Sequence, residues 1–506
     1  MYADSALSLI PPVGVIILVF LTRRVVLSLF VGILLAGILL SQSLLGTIEY
    51  VFYSLIAVFY DQNGGEIVYS NFYIFGFLVI LGILTQAMSY SGGMAAFVYW
   101  ARKRIKSATG SEFFAFIAGI IIFIDDYFNA LTVGQISQSI NDINRSTRER
   151  LAYIIDSTSA PVCILMPLSS WGAYIIGLLG GMQEGNHFQT LLSSIWSNFY
   201  AWFALLAVFL TIYWRINLPA MRKNCNVGVQ KRTDGDSKGT SIWFLILPIF
   251  VLIVLIAFFL FYSGFVQLQK QQQEVHLIAI LGEAQTPFAL FYGGLLTLVF
   301  TLFLTSSRIH LRSFPMIFNK GFMIMLPANL ILIFAWAIAP AIREDLQTGI
   351  YLAKISEEWL QMSLMNPDMI VPIVLFLVSG FIAFATGTSW GTFAIMLPIA
   401  LGIAEVNHFD TILCIAAVLS GAVYGDHASP ISDTTILSAT GAGCSVQSHF
   451  ITQFPYVTTV ACVALVSFGV AGITNVWLGY LVGGLLLLGI FGIYKRFYGG
   501  EIVLKS

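Results

Sequence analysis

Charge is what this chain lacks most. Its 506 residues include only 24 Lys and Arg and 25 Asp and Glu, or 10%, where soluble domains carry about 25%. So few charges cannot cover a water-facing surface, which excludes a soluble globular protein. Hydrophobic residues make up 58%, above the roughly 45–50% of soluble domains, which excludes disorder. The net charge of -1 gives no basic footprint for nucleic acid. Cys163, Cys225, Cys414, Cys444 and Cys462 are scattered, with no CxxC pair. Neither a disulfide framework nor a thiolate metal site is expected. No G-x-x-x-x-G-K-[ST] occurs, so ATP is not the driving force by that route, and the absence of H-E-x-x-H leaves a zinc protease unsupported. Strict apolar/polar alternation is missing too, which argues against a transmembrane barrel. The first six residues contain Asp4 and no Lys or Arg, unlike the start of a signal peptide.

What is present is long apolar runs. Residues 25–48, 71–101, 241–269 and 450–494 contain no Asp, Glu, Lys or Arg. The fold class expected is an all-α polytopic membrane protein. Basic residues favour the cytoplasmic side of short loops. Arg23 and Arg24, Arg102 to Lys106, Arg145 to Arg150, the segment 215–238, Arg308 to Lys320, and Lys495 with Arg496 therefore read as inside. The loops 61–66, 184–187, 270–283 and 343–368 read as outside. Helices are expected near 7–22, 25–46, 71–100, 190–214, 242–266, 287–306, 321–340, 455–473 and 475–494.

Two segments break the alternation. Residues 112–141 have basic clusters on both flanks, yet two full crossings need about 20 residues each. A re-entrant hairpin solves this, with Asp125-Asp126 at its tip. The charge-free run 369–404 poses the mirror problem, with 385–391 at its tip. Interrupted helices near 151–183 and 411–440 complete a set of about 11 crossings and two hairpins. The N-terminus then lies outside and the C-terminus in the cytoplasm of a prokaryotic cell.

The halves match in feature order rather than identity. Residues 122–128 lie opposite 383–389, and 156–161 opposite 426–430. That order reads as the inverted repeat of a secondary transporter. The organisation expected is N-terminal helices over 1–70, a first repeat over 71–214, a cytoplasmic loop over 215–241 and linking helices over 242–320. A second repeat over 321–474 and a C-terminal helix and tail over 475–506 follow.

Ionisable groups inside a span are costly and mark functional sites. Asp125 and Asp126 follow an apolar run. Two adjacent buried carboxylates hold a proton, or a cation in its place. Asn129 stands one helical turn on. Asp156, Thr158 and Ser159 lie before Pro161, and Ser170 and Trp171 follow Pro167, where a broken helix frees hard oxygen ligands. The competing reading is a kinked helix whose hydroxyls bond their own backbone. Thr388, Ser389 and Trp390 lie in a stretch of small residues that presents backbone to a ligand or packs against a helix. Asp426, His427, Ser429, Ser432, Asp433 and Thr434 form the last group, with His427 a candidate proton carrier. Trp336 with Pro340 reads as an interfacial anchor, the 215–238 loop as solvated, and His276, His310 and His449 as surface residues.

The stretches 124–134, 151–161 and 167–174, with 386–392 and 425–434, resemble the NhaC-type sodium/proton antiporter family over roughly residues 70–460. The resemblance implies a member of the ion transporter superfamily with inverted repeats and paired hairpins. Its implied cargo is Na⁺ and H⁺ in a lipid bilayer, with no cofactor and no nucleic acid. Na⁺ and H⁺ are expected to alternate on Asp125, Asp126, Asp156, Asp426 and Asp433. The family's substrates leave open a Na⁺-coupled carrier of a small carboxylate or amino acid, malate and lactate among them. A homodimer is also left open. An intramembrane aspartyl protease, hinted at by Tyr424-Gly425-Asp426, explains neither the repeat nor the first-half motifs.

Overall fold

The computed structural model describes residues 5–22, 24–61, 65–182, 186–223, 240–272, 283–306, 308, 311–348 and 366–500, with single positions at 280 and 351. The expected basic position Arg23, the surface residues His276 and His310, and loop residues 224–239 lie outside the described residues.

The first helices are α1 (Ile10–Thr22), α2 (Val25–Ser41), α3 (Leu44–Ala57), α4 (Tyr69–Tyr90) and α5 (Gly93–Arg104). The first repeat continues as α6 (Ala108–Ile121), α7 (Asp126–Ile143), α8 (Arg148–Leu165), α9 (Ser170–Gly180), α10 (His187–Trp196) and α11 (Phe199–Tyr213). A short α12 (Pro219–Lys223), then α13 (Trp243–Gln271), α14 (Thr286–Thr305) and α15 (Phe314–Pro340) follow. The second repeat holds α16 (Pro367–Thr386), α17 (Ser389–Asn407), α18 (Thr411–Ala428), α19 (Asp433–Ala442) and α20 (Val446–Ile473), and α21 (Val476–Tyr498) comes last. A two-residue antiparallel pair, Tyr60–Asp61 with Glu66–Ile67, sits in an exposed loop.

Among the described residues nine helices are long and apolar enough to cross a membrane, or up to eleven if each of two bent pairs is one span. The all-α polytopic architecture and the count of about 11 hold. One bent pair is the interrupted helix α8–α9, with a 41° bend. The other was expected as a single helix over 190–214: α10 and α11 meet at 46°. Asn198 causes the break. Its Oδ1 caps α11 by accepting from the Ala201 N–H at 3.1 Å, and also accepts from the Ser420 hydroxyl at 2.6 Å. The helix expected over 71–100 is likewise two, separated at Gly92, whose φ of +79° favours glycine.

Both expected hairpins are helix–turn–helix pairs. The first has arms of 14 and 18 residues, α6 and α7. The arms of the second, α16 and α17, run 20 and 19 residues because Gly387 and Thr388 alone make the turn. Each arm of this second pair is therefore long enough to cross, which the charge-free run by itself did not suggest. The broken helix of the second repeat is α18 and α19, interrupted at residues 429–432.

The helices fall into two packed groups. α13 packs on α14, α14 and α15 on α4, α2 and α3 beside α15, and α1 on α2. In the other group α6, α7, α8 and α19 interlock, α16 and α17 clasp α18, and α20 packs with α21. The crossing of α16 and α18 is glycine-lined: a Cβ on Gly425 would lie 2.1 Å from the Gly380 oxygen, and one on Gly421 2.2 Å from that of Phe376. Helices associate in lipid through such close approach.

Two expectations are corrected here. Trp336 is buried rather than interfacial; its indole donates to the Gly177 carbonyl at 2.8 Å. The start of the 215–238 segment is not a solvated linker. Ile216, Asn217 and Met221 are buried, and Arg215 pairs with Glu112 at 2.8 Å. Glu112, buried in α6, attracts both Arg215 and the buried Arg150, which lies 2.7 Å away.

Candidate functional site

Each tip is built from local capping. Asp125 ends the extended segment after α6 and caps α7, accepting from the Phe128 N–H at 3.0 Å. Its other oxygen accepts from the Ser170 hydroxyl at 2.9 Å. The Ser170 N–H donates to the Ile124 carbonyl at 2.8 Å, so the start of α9 is stitched to the first tip. Asn129 donates through Nδ2 to the carbonyls of Gly119, Ile122 and Thr158 at 2.7–3.0 Å. It therefore satisfies the carbonyls freed where α6 ends.

Asp126, next along, is 1% exposed, and neither carboxylate oxygen has a hydrogen-bond partner among the described residues. The Trp171 indole acts on it without reaching hydrogen-bond geometry. Asp125 and Asp426 are close enough for their charges to act on it.

The second tip turns at Gly387, with φ of +70° and the Ile431 carbonyl 2.7 Å from where a Cβ would stand. Ser389, at the start of α17, donates to Asp426 Oδ2 at 2.8 Å. The Ser432 hydroxyl donates to Asp426 Oδ1, and Thr434 reaches the same oxygen at 3.5 Å. Asp426 is thus ringed by three hydroxyls, one from the start of α17 and two from the start of α19. Ser429 holds the tip by donating to the Phe384 carbonyl at 2.6 Å. Asp433 accepts from the Tyr127 hydroxyl at 3.2 Å, joining the repeats.

Asp156 belongs to a different centre. It accepts from Thr435 and Ser438, both at 3.3 Å, from His449 Nε2 at 3.1 Å and from Gln453 Nε2 at 2.8 Å. Gln453 Nε2 also donates to the His427 carbonyl at 2.7 Å, which fixes its amide orientation. His427 is bonded on both ring nitrogens, to Ser157 at 3.0 Å and Tyr200 at 2.9 Å. Thr158 and Ser159 turn their hydroxyls to their own helix, at the Ile154 and Asp156 carbonyls.

His449 was expected at the surface and is instead fully buried on Asp156. Gln453, Ser438 and Tyr200 were not singled out in the sequence either. The signal was present in α20: Ser445, Ser448, His449, Thr452 and Gln453 recur at helical spacing in an apolar chain.

Two cavities border the first tip. One of about 690 Å³ is lined by Arg24, Asp125, Tyr127, Gly387, Trp390 and Asp433 among others. A second of about 540 Å³ shares Asp125, Tyr127 and Ile324 with it. Trp390 stacks edge-on against Trp171 at 5.8 Å and Tyr174 at 4.7 Å, and its carbonyl accepts from the Tyr174 hydroxyl at 2.9 Å. The donors that converge near the tips are carboxylate, hydroxyl and carbonyl oxygens, which suit hard cations. Among the described residues no three His, Cys, Asp or Glu converge as a metal cluster.

Residues 162–473, more than half of the chain, match the profile of the Na⁺/H⁺ antiporter family. The chain belongs to the Na⁺/H⁺ antiporter family. An uncharacterised protein of Haemophilus influenzae is 36% identical across 98% of this chain and 96% of its own length. Shorter matches, about a fifth of each chain, link this family member to two named antiporters. The arginine/ornithine antiporter ArcD of Halobacterium salinarum is 36% identical over 110 residues. The malate-2H⁺/Na⁺-lactate antiporter of Bacillus subtilis is 29% identical over 108. The YdaH transporter of Alcanivorax borkumensis shares the fold, with a TM-score of 0.56 at 13% identity over 84% of this chain and 88% of that one. The protein is therefore a multi-pass membrane transporter of the secondary type, and its neighbours are transporters rather than enzymes.

Proposed function

We propose that this antiporter-family member exchanges Na⁺ for H⁺ at a centre made by Asp125 and Asp126 from the first tip and by Asp426 with Ser389, Ser432 and Thr434 from the second. One observation carries the reading. The Asp126 carboxylate is buried, has no hydrogen-bond partner among the described residues, and stands within electrostatic reach of Asp426. An unpartnered buried carboxylate is expensive unless a proton or a cation compensates it. Either occupant removes the same penalty, so the two compete for one place. Protonation then releases Na⁺, and Na⁺ binding expels the proton.

Asp433 with Tyr127 stands at the cavity edge, on the cation's way in. Asp156 contributes differently. Four donors fill its two oxygens, so it clasps the repeats together while Asp126 takes the ion. The tips are read as re-entrant, and the repeats as inverted. The large cavities border Arg24 and Tyr90, the ends that the basic residues assign to the cytoplasm, so this is the inward-facing form. Rocking of the second helix group against the first would carry the centre to the other side.

The test is ΔpH-driven uptake of ²²Na⁺ in proteoliposomes. Asp126→Asn and Asp426→Asn should each reduce exchange by at least about tenfold, a loss of roughly 1.4 kcal/mol or more. Ordinary exchange in both variants refutes the proposal. A second reading, Na⁺-coupled movement of a small organic solute, is favoured by the cavity of about 690 Å³ at the same tip.

A further inference from the structure

We infer that the ledge formed where the end of α21 docks on the segment after α11 binds an anionic phospholipid. Its phosphate would rest on Arg222, Lys223, Lys495 and Arg496, and its acyl chains against α11 and α21. The site stands apart from the ion centre and does not depend on it. Backbone builds the ledge. Ile216 and Gly499 form an antiparallel bridge. The Asn217 N–H donates to the Tyr498 carbonyl at 2.9 Å, and the Gly500 N–H to that of Arg215 at 3.2 Å. The Asn217 side chain closes the same contact, donating to the Gly500 carbonyl at 2.8 Å across 283 residues of sequence. The buried Tyr456 hydroxyl braces it by accepting from the Leu218 N–H at 2.9 Å.

That docking gathers charge of one sign. The last turn of α12 carries Arg222 and Lys223, and the last turn of α21 carries Lys495 and Arg496. All four are exposed. The bridge brings the two pairs onto one ledge: Arg222 lies over the Tyr498 ring at 6.0 Å, and Lys495 over that of Trp214 at 5.1 Å. Neither 199–223 nor 476–500 contains an Asp or Glu, and Arg215 is engaged by Glu112. A short basic loop needs only to carry its charges on the cytoplasmic side. Here the fold fastens two separate basic segments together, so their charges repel, and an anion offsets that repulsion. The two guanidinium groups present forked donors that match phosphate oxygens.

The apolar surroundings name the source of the phosphate. Phe209 and Tyr213 near the end of α11, and Ile493 and Phe497 near the end of α21, are exposed, and the two helices pack together. Phe209 and Tyr213 stack at 5.9 Å. These rings and side chains sit in the closing turns of both spans, next to the cations. An acyl chain covers such a surface, whereas a free phosphate leaves it bare. Basic groups at the cytoplasmic edge of packed spans, with apolar walls beside them, match an anionic lipid headgroup and its chains.

The experiment uses the full chain, purified in detergent and stripped of co-purified lipid. Native mass spectrometry reads the binding of phosphatidylglycerol and of cardiolipin against phosphatidylcholine. Glycerol 3-phosphate, which carries the phosphate without the chains, is added as competitor. At least one anionic lipid should bind about tenfold or more tighter than phosphatidylcholine, and glycerol 3-phosphate should not displace it. A basic residue at a membrane surface contributes about fivefold. Lys495→Gln with Arg496→Gln should therefore cut the preference about tenfold or more, or to parity. Arg312→Gln with Lys320→Gln, which removes exposed cations assigned to the same side, should leave it unchanged. Should the first pair not fold, salt decides on the unmodified protein: raising ammonium acetate from about 0.15 to about 0.5 M should weaken the preference. Equal affinity for anionic and zwitterionic lipids overturns the inference. Displacement by glycerol 3-phosphate also overturns it, by assigning the ledge to a soluble anion. An equal loss in the Arg312 and Lys320 pair does the same, by assigning the preference to general surface charge.

Discussion

His449 Nε2 lies 3.1 Å from Oδ2 of Asp156, a contact across 293 residues that fastens α20 to the middle of α8. Both side chains are fully buried. The pair holds α20 against α8, and its removal has a calculable cost.

His449→Ala should lower the thermal stability of the detergent-solubilised protein. It strips one of four donors from a buried carboxylate, and uncompensated buried charge costs about 3–5 kcal/mol at the upper end. His449→Gln, which can still donate, should recover part of the loss. Equal melting temperatures for the alanine variant and the unmodified protein would show that the contact adds nothing.

Asp126→Asn should behave in the opposite way. The native carboxylate has no hydrogen-bond partner among the described residues, so removing its charge should raise stability in the absence of Na⁺ by about 1 kcal/mol or more. The same change should erase stabilisation by added Na⁺. Melting curves with and without Na⁺ check both halves of the statement. A variant less stable than its parent without Na⁺ would contradict it.

Arg150 and Arg215 both pair with Glu112, yet unequally. The Arg150 side chain is 2% exposed and that of Arg215 is 19% exposed. Arg150→Met leaves the buried Glu112 short of its main partner and should cost about 3–5 kcal/mol. Arg215→Met should cost clearly less, because water reaches that side. Fluorescence-detected gel filtration after graded heating ranks the two variants, and a reversed order would refute the assignment.

Gly425→Ala should destabilise by about 1–3 kcal/mol, since its Cβ would fall 2.1 Å from the Gly380 oxygen and spread α16 from α18. Gly484→Ala is the control: nothing lies within 4 Å of its Cβ, so a gain of about 0.4–1 kcal/mol is expected. Comparable losses in the two variants would show that helix propensity rather than close approach governs both sites.

The tips were legible in the sequence because polar residues inside apolar runs are rare and local. Asp125-Asp126, Asp156 and Asp426 stood out for that reason. Their division of labour was not legible. Asp156 read as a cation ligand, and nothing in the order of residues showed that Thr435, Ser438, His449 and Gln453 would converge on it. Trp336 looked interfacial until Gly177 was found against its indole. The break at Asn198 was hidden because a Ser-Asn pair in an apolar run reads equally well as continuous helix.

From the order of its residues alone, the chain specified its solvent, most of its helices, the two turns and the carboxylates that must lie at depth. Each follows from short-range rules of transfer cost, capping and backbone freedom. The tertiary structure decided which carboxylate is filled and which stays open. Hydrogen-bond satisfaction depends on donors that arrive from distant helices, and no local pattern records where those donors dock. On the function proposed above, that is why Asp156 serves as a clasp and Asp126 is left for the ion.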